Sequence, residues 1–165
     1  MNKAARQYLG LACAVLGYYL VHEGAHLLYA LLTGVFKEIH IMGLGVQIDV
    51  YAQRMSDLSL GLFCLVGSVA TTLAAYVLVL LAPAIAGLSS KLIKALLYYL
   101  TLAMLFADPL YLSVLFGFFG GGDMNGIALL MPQGLARGIY GVLLAVNGLV
   151  FWKAVLPRYQ KGFSR

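Results

Sequence analysis

The chain has 165 residues, 62% of them hydrophobic and only 10% charged, with a mean hydropathy of +0.92. Soluble domains carry about 25% charged residues, so the composition excludes a soluble globular protein and points to one integral membrane domain over 1–165. The net charge of +5 is not a nucleic-acid signature. The basic residues cluster as Lys3 and Arg6 before the first apolar run and as Lys153, Arg158, Lys161 and Arg165 after the last, the pattern of cytosolic anchoring, and none alternates with aromatics as in a nucleic-acid groove.

The first predicted span covers about 8–33. Lys3 and Arg6 ahead of an apolar run resemble the start of a signal peptide, but the run is too long for one and reads as a retained span. Within it the only Asp, Glu, Lys, Arg or His residues are His22, Glu23 and His26. Such groups are costly at bilayer depth and tend to face protein or water and to be functional. On a helix His22 and His26 lie one turn apart on one face, spaced to hold one metal ion through two imidazoles. Glu23, beside the first ligand, stands where a carboxylate can take a proton from an activated water. In a soluble chain the same pattern reads equally well as a solvated helix face. At the centre of an apolar segment no such face exists.

A polar interval follows, in which the period changes from helical to alternating. Ile39 and Ile41 share one face against Glu38 and His40, and after Gly43-Leu44-Gly45 the residues Val46, Ile48 and Val50 alternate with Gln47 and Asp49. The pattern predicts a short interfacial β-hairpin over about 38–51. Its role is either that of a linker on the membrane surface or that of an edge strand that pairs with an extended peptide.

The second span is predicted over about 58–81, closed by Pro83 and the loop at Gly87, with small residues such as Gly61, Gly67 and Thr71 suited to close helix packing. The third covers about 92–119, its start marked by Lys91 and Lys94 and its run interrupted at Asp108-Pro109. Glycines 120–122, Asp123-Met124-Asn125-Gly126 and Pro132 come next, and a last span covers about 135–152. The expected fold is therefore an all-α polytopic membrane protein with about four transmembrane helices, a broken or re-entrant segment within 108–131, and the hairpin. Four spans place the basic groups, and both termini, on the cytosolic side. Irregular backbone at depth implies protein burial or a cavity. Cys13 and Cys64 lack metal-ligand spacing and read as small core residues.

A catalytic zinc has three protein ligands and an open position. For the third ligand Asp123, set in flexible backbone that opens a helix, is the first candidate. Asp108 is the second and His40 a distant third. Each acid also has a plain structural role available, Asp123 as a helix N-cap and Asp108 as a kink or loop cap.

His22-Glu23-Gly24-Ala25-His26 in the first core span, followed about a hundred residues later by an Asp after a Gly-rich break, resembles the site-2 protease family of intramembrane zinc metalloproteases. The resemblance covers nearly the whole chain and is of a divergent, minimal kind. Where that family carries Asn and Pro ahead of its Asp, this chain has Leu115 and Phe118, and Met124 stands where the family has Gly. It implies one Zn2+ held by His22, His26 and Asp123, Glu23 as general base, and hydrolysis of a peptide bond in or near a transmembrane helix of a membrane-protein substrate. Asn125, or Asn147, is a candidate for the oxyanion or substrate contact. Two other classes fit the same residues: a non-catalytic, metal-containing membrane protein that binds a partner helix, and a small ion or proton transporter using Glu23, Asp108 and Asp123.

Overall fold

A computed structural model describes residues 2–42 and 45–164. Its elements are α1 (Lys3–Leu32), β1 (Phe36–Met42), β2 (Gly45–Val50), α2 (Asp57–Gly87), α3 (Lys91–Leu110), α4 (Phe116–Phe119), α5 (Gly122–Ile127), α6 (Gln133–Val150) and α7 (Leu156–Phe163). Two π-helical turns, Tyr111–Leu115 and Phe151–Val155, carry α3 into α4 and α6 into α7. Four helical runs, Lys3–Leu32, Asp57–Gly87, Lys91–Phe118 and Gln133–Phe163, are long and apolar enough to cross a membrane.

The starts of three of these runs follow from ordinary capping. Asn2 accepts from the Ala5 N–H at 2.8 Å, Ser56 from Ser59 at 3.2 Å and Ser90 from Ile93 at 3.3 Å. Three boundaries differ from the sequence reading, the first being that α1 begins at Lys3 rather than near Tyr8. The second helix runs through Pro83 to Gly87, and the last extends to Phe163 through its π turn rather than stopping near 152.

The expected interruption at Asp108-Pro109 is also absent, since α3 continues through both residues. A proline there removes the N–H that would bond the carbonyl four residues earlier, that of Leu105. The Asn147 side-chain amide of α6 donates to the Leu105 carbonyl at 2.6 Å, while the Tyr76 hydroxyl donates to Asn147 Oδ1 at 2.9 Å. A neighbouring helix thus supplies the missing donor, the usual way in which proline is accommodated at membrane depth. The π turn that follows is satisfied partly from its own side chain and partly from α6. Ser113 Oγ donates to the Pro109 carbonyl at 2.5 Å and Arg137 Nε to the Ser113 carbonyl at 3.0 Å.

The true break falls at Gly120 and Gly121, with φ of +67° and +156°. These are conformations that residues with a Cβ rarely adopt. A side chain on Gly121 would also run into the Tyr111 hydroxyl, which donates to the Gly120 carbonyl. The break lets α5 turn back and pack on α2, where Gly126 lies against Cys64.

The hairpin forms as a two-stranded antiparallel sheet in which Ile39 pairs with Ile48, Ile41 with Val46, Glu38 with Asp49 and His40 with Gln47. Paired residues share a face, so the sheet has one apolar and one polar side, as the alternation predicts. The apolar side is covered at Ile48, which is buried, and open at Ile39 and Ile41. The predicted turn at Gly43-Leu44 lies outside the described residues.

Candidate metal centre

On α1 the positions 18, 22 and 26 recur every four residues and form one stripe. Tyr18, His22 and His26 therefore all face the bundle interior, with both imidazoles buried. Across from them stands Gly67 of α2. A Cβ at that position would lie 2.5 Å from His26 Nε2 and 2.8 Å from His22 Nε2, so the absence of a side chain is what leaves room at the imidazole tips. Asp123, in the first turn of α5, reaches the same space because the glycine break swings its helix inward.

The result is a compact donor triangle. His22 Nε2 lies 3.2 Å from His26 Nε2 and 3.1 Å from Asp123 Oδ2, and His26 Nε2 lies 3.7 Å from Asp123 Oδ1. Ligand atoms placed tetrahedrally at zinc–nitrogen and zinc–oxygen distances are separated from one another by about 3.3 Å. Two imidazoles and a carboxylate at this spacing match a site for one small divalent cation in kind as well as in size. The pocket that a Cβ on Gly67 would fill is the second, independent sign of the fit.

Asp108 is not in the triangle. It sits behind His22, with its oxygens 3.2 and 3.4 Å from Nδ1, and it is buried. The Tyr18 hydroxyl donates to Asp108 Oδ1 at 2.5 Å, and the Thr71 hydroxyl donates to the other oxygen. A carboxylate at Nδ1 holds the proton on that nitrogen and leaves the Nε2 lone pair aimed into the triangle. The geometry thus separates the two acids that the sequence left as alternatives: Asp123 lies beside both Nε2 atoms, and Asp108 orients one ring from behind. His26 has no such partner among the described residues. Its Nδ1 makes no hydrogen bond, and its ring packs on Phe63 at 4.8 Å between centroids.

Glu23 lies on the wall of a cleft of about 640 Å³ together with His26 and Asp123. The opposite wall is β2 in its whole length, Gly45–Val50. Among the described residues β2 pairs with β1 alone, so its other edge has no strand partner, and the Ile48 N–H lies within reach of the Glu23 carboxylate. Lys37 also lines the cleft. Its ammonium lies 2.8 Å from Glu38, and that contact holds the Glu38 carboxyl below the usual carboxylate range.

The remaining sequence candidates lie elsewhere. His40 is exposed on the hairpin, 3.9 Å from Asp49. Asn125 is exposed and is not among the cleft's lining residues. Asn147 is buried between helices, occupied by Tyr76 and Leu105 as described above, so it is a helix-to-helix link. Tyr18, Thr71 and Gly67 were not singled out from the sequence as parts of a site. Tyr18 was within reach of such reading, being one turn ahead of His22. Thr71 and Gly67 stand one turn apart on α2, but nothing in their spacing distinguishes a metal cradle from ordinary small-residue packing.

Among known protein families, characterised proteins and solved structures, none matches this chain.

Proposed function

We propose that the protein is a zinc-dependent intramembrane peptidase, in keeping with its resemblance to the site-2 protease family, and that it hydrolyses a peptide bond in or near a transmembrane segment of another membrane protein. The observation that carries this reading is the junction of the His22–His26–Asp123 triangle with a cleft that also exposes Glu23 and a free strand edge. A purely structural metal site is closed by its protein ligands, whereas this one borders open space.

A zinc ion held by His22, His26 and Asp123 would supply a Lewis acid that lowers the pKa of its water to about 7. The other parts of the reaction belong to the chain. Asp108, fixed by Tyr18 and Thr71, keeps His22 in the tautomer that can act as a ligand. Glu23 takes the proton of the attacking water and returns it to the leaving amine. The free edge of β2 holds the substrate as an extended strand by backbone hydrogen bonds. That extension matters because a helical substrate has its amides bonded internally, so its scissile segment must unwind before attack. Four spans, with Lys3, Arg6, Lys91 and the basic tail at one end, orient both termini towards the cytosol.

The test is Glu23→Gln in the purified full-length chain. Zinc content by elemental analysis stays at the wild-type level, and cleavage of a model transmembrane substrate falls by about 10²–10⁴-fold, the usual worth of a general base. Full turnover by the variant removes Glu23 from that role. Cation or proton flux in liposomes without any cleavage would replace the peptidase with the transporter reading.

A further inference from the structure

A second cavity, of about 530 Å³, lies at the other end of α1 and is unconnected with the metal chemistry. Arg6 is sixteen residues before His22, or about 24 Å along the helix axis. Three cations line this cavity: Lys3 and Arg6 from the first turn of α1 and Lys91 from the first residue of α3. Its walls are aromatic, with Tyr98 and Tyr99 of α3 and Phe163 of α7.

The electrostatics of this end are unusual for a folded chain. Helix N-termini carry a partial positive charge and favour acidic residues. Here two of them converge on one cavity, and neither has an acidic residue in its first turn. None of the six acidic side chains, Glu23, Glu38, Asp49, Asp57, Asp108 and Asp123, lines the cavity, and the only negative end that the described residues bring to it is the C-terminus of α7 at Gln160, Phe163 and Ser164. Lys94, one turn beyond Lys91, is buried with its ammonium on the Gly162 carbonyl and 5.6 Å from the Phe163 ring centroid. It adds further positive charge beside the same wall, and among the described residues no carboxylate forms an ion pair with it. An anion in the cavity would relieve the mutual repulsion at this end. A simple anchoring role would be met by lysines and arginines spread over the rim, without a concave site shared by two helix starts.

We infer that this cavity binds an anionic phosphate group, with Lys3, Arg6 and Lys91 as its ligands. Two sources offer that chemistry: the headgroup of an anionic phospholipid, whose glycerol and upper acyl carbons would lie along the tyrosine and phenylalanine wall, and free phosphate from solution. Basic pockets between transmembrane helices on the cytosolic side are suited to the first.

The experiment titrates the full-length chain, in phosphatidylcholine nanodiscs, with dioctanoyl-phosphatidylglycerol and separately with inorganic phosphate. Two triple variants are compared with the wild type. In one, Lys3→Gln, Arg6→Gln and Lys91→Gln empty the cavity of charge. In the other, Lys153→Gln, Arg158→Gln and Lys161→Gln remove the same net charge from the basic tail, outside the cavity. Saturable binding is expected for the wild type, weakening as salt is added. The cavity triple should weaken it on the order of 100-fold and the tail triple by less than about tenfold. Binding of the lipid alone identifies a headgroup site, and equal binding of inorganic phosphate identifies a site for soluble phosphate. No saturable binding of either probe, or an equal loss in both triples, overturns the proposal. Circular dichroism of each variant guards against a loss of fold, and Lys91→Gln alone, on an exposed side chain, gives the same reading with a smaller perturbation.

Discussion

The two ends of α1 treat charge in opposite ways. Around His22 each buried acidic or basic group meets a partner from another helix: Asp108 receives Tyr18 and Thr71, and Asp123 faces two imidazoles. Around Lys3 and Arg6 the cavity gathers Lys91, two helix starts and the C-terminal end of α7, with no acidic side chain among the described residues that line it. The difference follows from where the groups lie. A charge within the apolar span has neither water nor headgroups to compensate it, so the chain must supply the complement. At the end of the bundle the complement can come from outside, and the cavity there has the shape and sign to accept it.

The comparison can be broken most severely by removing the acid that faces both imidazole tips. Asp123→Ala should weaken zinc binding by more than about 100-fold, beyond what loss of an outer partner costs, and elemental analysis after dialysis should show the zinc content collapsing. Retention of one zinc per chain would take Asp123 out of the ligand set. Gly67→Ala attacks the same site by filling space. The new methyl would sit against both Nε2 atoms, and the imidazoles must separate, so zinc content falls although no ligand is lost. Unfolding in detergent should show a cost of about 1–3 kcal/mol for the overpacking. Unchanged zinc content would mean that the cradle has more room than its geometry indicates.

A milder change sharpens the contrast between the two acids. Asp108→Asn preserves shape but removes the charge behind His22, and zinc affinity measured by competition with a chelator should drop by about 10–100-fold, as for other outer partners of metal-bound histidines. A loss as large as that of Asp123→Ala would show Asp108 to be a direct ligand. The smallest effect on the site is expected from Asn147→Leu. It leaves the Leu105 carbonyl without its donor above Pro109 and should cost about 1–3 kcal/mol in unfolding with zinc content unchanged. A parallel loss of zinc would mean that the continuity of α3 positions Asp108 more directly than the contacts indicate.

Much of this architecture was legible in the residues. Apolar runs long enough to span a bilayer announce four helices, because lipid leaves the backbone few alternatives to a helix. The alternation from Ile39 to Val50 announces a hairpin, because side chains of a strand point to opposite faces in turn. His22 and His26 lie on one face by helical period alone. Other features were legible only in part. Asp108 and Asp123 both read as acids near irregular backbone, and proline in α3 read as an interruption. The donor that lets the helix continue is Asn147, 38 residues further along the chain, and no local pattern links the two.

Sequence by itself therefore determined the class of the protein, the number of its long helices and the paired imidazoles with a neighbouring carboxylate, since each depends on composition or on the period of a single element. Tertiary structure decided which acid faces the imidazole tips and which stands behind them, placed β2 across from Glu23, and gathered Lys3, Arg6 and Lys91 around one cavity. Those outcomes depend on contacts between residues up to about a hundred positions apart. Helix periodicity carries no information over that range, because the turn at Gly120 and Gly121 and the packing of α5 on α2 set the final positions.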